Sequence, residues 1–252
     1  MAKMISFENV YKSFGSNKVL QGLNLSIFPG RITFIIGKSG EGKSVTIKHI
    51  LGLMRPDSGQ VIVNEKKLSS LTEEELQEHR LQFGMLFQHA ALFDSLSVIE
   101  NVLFPLQEQK AWPKDKMKLR ARDVLRQVGL HDVENKYPDE LATGEKKRVG
   151  LARALATQPK IILYDEPTTG MDPLICEMID QLIVDVNREE RGLTSIVISH
   201  DIKAAMATAD HIIMLYKGCV IEEGSPSVMS KSLNPIVQQF LSGRVDGPME
   251  LV

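Results

Sequence analysis

Apolar and polar residues alternate along 4–11 and 19–28, the period-2 pattern of half-buried antiparallel strands. Pro29-Gly30 marks a turn, and Arg31–Ile36 (RITFII) is a β-branched and aromatic run that reads as a buried strand. Lys43–Leu53 follows with helical spacing, and the turn residues Arg55–Gly59 end it before a short strand at Gln60–Asn64. The middle of the chain is different: 71–82 and 114–129 are charged and helix-forming, and read as solvated helix faces. Strand character returns at Lys160–Tyr164, Ser195–Ser199, His211–Tyr216 and Cys219–Glu222, with Pro173–Arg191 helical between them. Pro235–Ser242 is a further helix, and the tail beyond it is expected to be mobile. Strand and helix alternating at both ends, with a helical insertion between, predict an α/β fold built on a mainly parallel sheet.

Composition changes this picture little. The 252 residues are 43% hydrophobic and 25% charged, ordinary for a globular chain able to bury a large core. A formal net charge of -2 gives no reason to expect nucleic-acid binding. The two cysteines, Cys176 and Cys219, lie in no metal-ligand pattern and read as reduced, mostly buried thiols. The start, Met1-Ala2-Lys3-Met4, leads into strand-like sequence rather than a signal peptide, and no apolar run approaches the roughly 18–20 residues needed to span a bilayer. A membrane role is therefore expected only through a partner.

The candidate chemistry begins at 37–44, Gly37-Lys38-Ser39-Gly40-Glu41-Gly42-Lys43-Ser44, which matches GxxxxGK[ST] with a strand before it and a helix after it. Glycines let backbone N–H groups turn toward phosphate oxygens, and the helix adds the positive end of its dipole. Lys43 offers a charge to the β- and γ-phosphates and Ser44 a hard oxygen to Mg²⁺. The buried strand Ile161–Tyr164 ends in two acids, Asp165 and Glu166, at the strand terminus where ligands of parallel sheets bind. Asp165 is expected to hold Mg²⁺, and Glu166 to orient or deprotonate the attacking water.

Together with four further segments in the same order, these motifs resemble the ATP-binding cassette (ABC) ATPases over nearly the whole chain. Phe14 matches the aromatic that stacks on adenine, and Gln88 in Leu86-Phe87-Gln88 the Q-loop glutamine that touches Mg²⁺ and senses the transmembrane partner. Gly170-Met171-Asp172-Pro173 looks like the D-loop, and His200 in Ile198-Ser199-His200-Asp201 like the switch histidine. The resemblance implies ATP contacts at Phe14, Gly37, Lys38, Ser39, Gly40, Glu41, Gly42, Lys43, Ser44, Val45, Gln88, Ala142, Thr143, Gly144, Glu145, Asp172 and His200. It implies catalysis by Lys43, Glu166 and His200, and Mg²⁺ held by Ser44, Gln88 and Asp165. The implied fold is a P-loop NTPase with a RecA-like core sheet, an antiparallel β-subdomain and an inserted α-helical subdomain. By motif, 1–87 and 160–224 form the core with its β-subdomain, 88–159 the helical subdomain, and 225–252 the tail.

One segment departs from the family. The signature, usually LSGGQ, here reads Leu141-Ala142-Thr143-Gly144-Glu145. In the family this loop completes the ATP site of the opposite subunit, and its serine meets the γ-phosphate. Ala142 has no hydroxyl and Glu145 replaces a neutral amide; one such charge-assisted hydrogen bond is worth about 1.5–3 kcal/mol. Slow hydrolysis is expected, with a regulatory subunit that binds ATP without turnover as the alternative.

The run Phe83–Val98 (FGMLFQHAALFDSLSV) and the tail segments Gln239-Phe240-Leu241-Ser242-Gly243 and Asp246-Gly247-Pro248 are similar to the MlaF/Mce-type lipid-transport ATPases. That implies two copies of this chain under two multi-pass permease subunits, at the cytoplasmic face of a bacterial inner membrane. An MCE-domain protein and a STAS-domain regulator are the further implied partners, with phospholipid as cargo. The apolar stretch Ala90–Leu106 is expected to form the groove for a permease coupling helix. The alternatives left open are an amino-acid or lipoprotein transporter ATPase and a soluble ABC protein acting on ribosomes or DNA.

Overall fold

The computed structural model describes residues 3–109 and 112–250, so Met1 and Ala2 of the expected strand-like start lie outside the described residues. In chain order the elements are β1 (Ile5–Phe14), β2 (Asn17–Ile27), β3 (Ile32–Ile36), α1 (Lys43–Ile50), β4 (Ser58–Val63), β5 (Lys66–Lys67), α2 (Glu73–Arg80) and β6 (Phe83–Leu86). Then come α3 (Val98–Gln109), α4 (Lys114–Gln127), α5 (Thr143–Ala156), β7 (Ile161–Asp165), α6 (Pro173–Glu189) and β8 (Thr194–Ser199). The chain ends with α7 (Ile202–Thr208), β9 (His211–Tyr216), β10 (Cys219–Gly224), α8 (Pro226–Met229) and α9 (Pro235–Ser242). No described helix is long and apolar enough to cross a membrane. Contacts divide the chain into two units, one running to Arg80 and resuming at Ile196, the other Leu81–Ser195.

The first unit carries an antiparallel sheet in the order β2-β1-β4-β5. Its register pairs Ile5 with Ile27, Phe7 with Leu25, and Ile5 with Val63, so the alternating apolar residues fall on one buried face. The same unit holds β3, parallel to β9, with Thr33 opposite His211 and Ile36 opposite Met214; β10 adds on antiparallel. Every residue of β3 and of β9 is buried, as expected where both faces of a sheet are covered.

In the second unit β6 and β7 pair in parallel, Phe83 with Ile161 and Leu86 with Tyr164. Helix α5 comes very close to β6. A Cβ on Gly84 would lie 2.5 Å from the Ala154 carbonyl oxygen, and one on Gly150 would lie 2.9 Å from Leu86 and 3.3 Å from Ala90. At Gly84, where the obstacle is main chain, only glycine permits that approach; at Gly150 a methyl group would require the Leu86 side chain to shift.

Three expectations change. The apolar stretch 90–106 is only partly surface: Ala90, Val98, Val102, Leu103 and Leu106 are buried, the last four on helix α3, while Phe93 and Phe104 are exposed. The tail, expected to be mobile, is tied down at points as far as Glu250, although 242–248 are exposed. Met249 is buried, and the buried Gln239 side chain donates to the Val245 carbonyl at 3.1 Å and accepts from the Met249 N–H at 2.7 Å. A Cβ on Gly247 would meet Gln239 at 2.2 Å, so the glutamine and the glycine of the tail motif form one clasp. The two thiols are half-buried rather than buried.

Three histidines of the first unit, His49, His79 and His211, are pushed below the ordinary value of 6.5, in each case chiefly by burial. A depressed native value means that the unfolded chain takes the proton first as pH falls. Stability is therefore full above about pH 6.5 and is lost as pH drops toward the native values. The urea midpoint is expected to be lower at about pH 5.5 than at about pH 7.5; equal midpoints would contradict burial of these rings.

Candidate nucleotide site

In the first unit, β3 delivers the chain into the glycine loop and α1 takes it away. Gly37 passes the β9 backbone so closely that a Cβ would sit 2.5 Å from the Leu215 carbonyl oxygen. Gly40 and Gly42 adopt left-handed φ of 86° and 91°. Gly42 is also the N-cap of α1 and supplies no side-chain cap, which leaves that helix end to an external acceptor. Lys43 is 6% exposed, and its ammonium reaches across the loop to the Gly37 and Lys38 carbonyl oxygens, each at 2.7 Å. Ser44 stands exposed on the first turn, with Val45 half-buried behind it.

The rest of the loop is fastened from outside. The Glu41 carboxylate accepts from the Lys217 N–H in the β9–β10 turn. Lys217 also pairs with Glu250 of the tail at 2.8 Å, and the Lys38 ammonium donates to the Glu250 carbonyl oxygen. His200 follows β8 and is exposed. It is held between Ser199, whose hydroxyl accepts from the Asp201 N–H at 2.9 Å, and Asp201, which caps α7 through the Ala204 N–H at 3.1 Å. Phe14 ends β1 with 47% of its surface exposed and the Lys12 ammonium 5.8 Å from its ring centre.

In the second unit, buried β7 ends on Asp165. Glu166 follows in a left-handed conformation, φ 49°, which an L-residue adopts only under constraint. The Thr169 hydroxyl donates to the Glu166 carboxylate at 2.6 Å and fixes its direction. Asp172 is the N-cap of α6, accepting from the Leu174 and Ile175 N–H groups at 3.1 Å each, so this D-loop residue has a structural task as well.

The signature residues open α5. Ala142 is the N-cap and Thr143 the first helical residue, both exposed, while Gly144 is buried against Ile175 of α6. Glu145 does not simply replace an amide: its carboxylate folds back to accept from the Ala142 N–H at 2.9 Å. The acid thus satisfies its own helix end. Gln88 is exposed, and around it the main-chain carbonyls of 87, 88, 90 and 91 accept from Lys147 and Arg153 of α5. Lys147 joins the Q-loop main chain to the signature helix. Burial lowers its ammonium to about 8, with Asp165 opposing the shift.

Sequence reasoning gave Asn101, in the run Glu100-Asn101-Val102 that continues the resemblance to the lipid-transport ATPases, no role of its own. Fully buried on α3, it accepts from the Phe93 N–H at 2.8 Å and donates to the Phe93, Leu96 and Ser97 carbonyl oxygens, shaping the chain after the Q-loop. The signal was present: Ser97-Val98-Ile99-Glu100 is a capping box, and Glu100 accepts from the Ser97 N–H at 2.8 Å.

A glycine loop between a buried strand and an uncapped helix, with an acid pair ending a second strand, defines a nucleotide-binding ATPase of the P-loop class. The family model for ABC transporters matches residues 20–169. This chain belongs to that family, and it is an ATPase subunit of an ABC transporter. It is 38% identical over 98% of its length to the chloroplastic protein TRIGALACTOSYLDIACYLGLYCEROL 3 of Arabidopsis thaliana, covering 75% of that protein. It is 37% identical to the probable ribonucleotide transport ATP-binding protein mkl of Mycobacterium tuberculosis, over 99% of this chain and 69% of that one. It is 40% identical to the methionine import ATP-binding protein MetN 2 of Rhodococcus jostii, over 96% and 72%. Among solved structures, cbiO1 from Clostridium perfringens, part of the ABC transporter complex cbiONQ, superposes with a TM-score of 0.85 at 29% identity over 92% of both chains. The cassette MJ0796, dimeric in a post-hydrolysis state with ADP and Pi, gives 0.79 at 35% identity over 88% of this chain and 99% of that one.

Proposed function

We propose that this chain hydrolyses ATP to drive a phospholipid transporter, acting as a two-fold pair beneath membrane permease subunits. The observation that carries the lipid reading is the likeness over 98% of the chain to a protein named for a galactosyl diacylglycerol. The dimeric MJ0796 cassette supports the pairing, in which the loop 37–44 of one subunit faces Leu141–Glu145 of the other.

The residues divide the work. Lys43 leaves its loop carbonyls to meet the β- and γ-phosphates, and the Gly42-capped start of α1 supplies N–H groups. Phe14 offers an exposed ring for the adenine. Glu166, aimed by Thr169, orients the water, and His200 is exposed for the γ-phosphate. Ser44, Gln88 and Asp165 give hard oxygens suited to Mg²⁺. When bound, Mg²⁺ neutralises charge on the transferring phosphoryl group.

The partner face is aromatic. Phe87, Phe93 and Phe104 are exposed, and the rings of Phe93 and Phe104 meet at 4.7 Å. We assign the permease coupling helix to this patch, with an MCE-domain protein and a STAS-domain regulator as further partners of the complex. Methionine import is the second reading, favoured by the 40% identity to MetN 2.

Four outcomes test this. Glu166→Gln is expected to reduce ATP turnover of the purified complex by roughly 10²–10⁴-fold while nucleotide still binds; turnover equal to that of the unaltered chain removes Glu166 from catalysis. Ala142→Ser combined with Glu145→Gln is expected to raise turnover about tenfold, as recovery of one hydrogen bond of roughly 1.5–3 kcal/mol allows. Phe93→Asp is expected to abolish co-purification with membrane subunits and to leave ATP affinity intact. Phospholipid retained by the purified complex, with no response of turnover to L-methionine, separates the two cargoes.

A further inference from the structure

Two cations of α5 hold one face of the Q-loop. Lys147 is 3% exposed, and its ammonium reaches the Phe87 carbonyl oxygen at 3.4 Å and the Gln88 carbonyl oxygen more closely still. Arg153 spreads its fork over the next two carbonyls, Ala90 at 2.7 Å and Ala91 at 2.6 Å. Those two alanines adopt left-handed φ of 58° and 49°, a conformation alanine does not hold unaided. Beneath them Gly150 lets α5 come within van der Waals reach of Ala90. Burying a lysine is unfavourable unless its charge is met, and here main-chain carbonyls and the neighbouring Asp165 meet it.

We infer that Lys147 and Arg153 are positioning residues that fasten the Q-loop to the helix beginning with Ala142-Thr143-Gly144, so that the two segments move as one piece. Neither side chain belongs to the nucleotide site itself. Their effect would be to carry a displacement of the signature, which reads the opposite subunit, directly into the 87–93 segment and its aromatic face. Only this last step rests on the permease reading above.

Hydrogen exchange on the purified full chain tests the fastening by itself. The Ala90 and Ala91 N–H groups are bonded inside the loop, to Phe87 at 3.0 Å and His89 at 2.7 Å, and serve as reporters. Lys147→Met is expected to speed their exchange about tenfold or more, with exchange in β3 and β9 unchanged, and Lys147→Arg to restore part of the protection. In steady state, Lys147→Met is expected to lower kcat while the KM for ATP stays within about twofold. Unchanged exchange at Ala90 and Ala91 in a folded Lys147→Met variant overturns the inference, whatever happens to kcat. If Lys147→Met does not fold, Arg153→Lys decides: it keeps the charge but loses the fork, so faster exchange at Ala91 supports the fastening and unchanged exchange overturns it. Failure to find permease or lipid would leave these measurements untouched, so the two proposals fail separately.

Discussion

The second unit depends on a close approach of helix to strand. With Gly84 on β6 and Gly150 on α5, the helix backbone lies where a single methyl group on either would strike main chain or a core leucine. At that distance a lysine on the same face of α5 can no longer reach solvent. Its ammonium is turned instead into the main chain that follows β6, and Arg153 does the same half a turn beyond Leu151. Close-packed interiors transmit displacement because they compress little. A helix seated this way therefore conveys a shift at its N-terminus to the segment it clasps.

The first unit solves a different problem, keeping a loop of glycines in one shape when its own side chains supply almost no packing. Glycine gains access to left-handed backbone at the cost of entropy. Here the loss is offset from outside the loop. Gly37 rests on β9, Lys43 bridges two loop carbonyls, and Glu41 and Lys38 are tied to the β9–β10 turn and the tail. The tail clasp at Gln239 and Gly247 thus contributes to the order of a loop two hundred residues earlier. This gives a physical reason for a C-terminal motif that nucleotide binding in general does not require.

The regular strands were legible because their signal is local. RITFII and HIIMLY are apolar and β-branched, and strands buried on both faces need little else. The phosphate loop and the Asp165–Glu166 pair were legible because their chemistry dictates residue type at fixed spacing. Helix α3 was not, since Pro105 inside it argues against a helix, although the capping box at Ser97 announces its start. The apolar run 90–106 looked like a surface because sequence gives no direction to a side chain; once folded, it buries Val98, Val102 and Leu106 of α3 and leaves Phe104, and Phe93 in the preceding loop, outside. The roles of Lys147, Arg153 and Gln239 were illegible for a deeper reason. Each bonds to main-chain atoms, which carry no sequence signature.

The signature shows how local and intermolecular demands compete at one helix end. An uncapped helix start leaves N–H groups for a partner's phosphate; a capped one is more stable by about 1 kcal/mol but has already satisfied them. In α1 the chain places glycine at the cap and leaves the end open. In α5 it places Ala142 there and lets Glu145 turn back onto the Ala142 N–H. That carboxylate adds a negative charge where a second negative group would have to approach, and like charges at such range are unfavourable. The two changes act on different donors: Glu145 takes up the Ala142 N–H, whereas the N–H groups of 144 and 145, which a cap hydroxyl would accept from, get no acceptor from the Ala142 side chain. Glu145 thus steadies the entry into α5 while leaving the N–H groups of its first turn without a side-chain cap from residue 142.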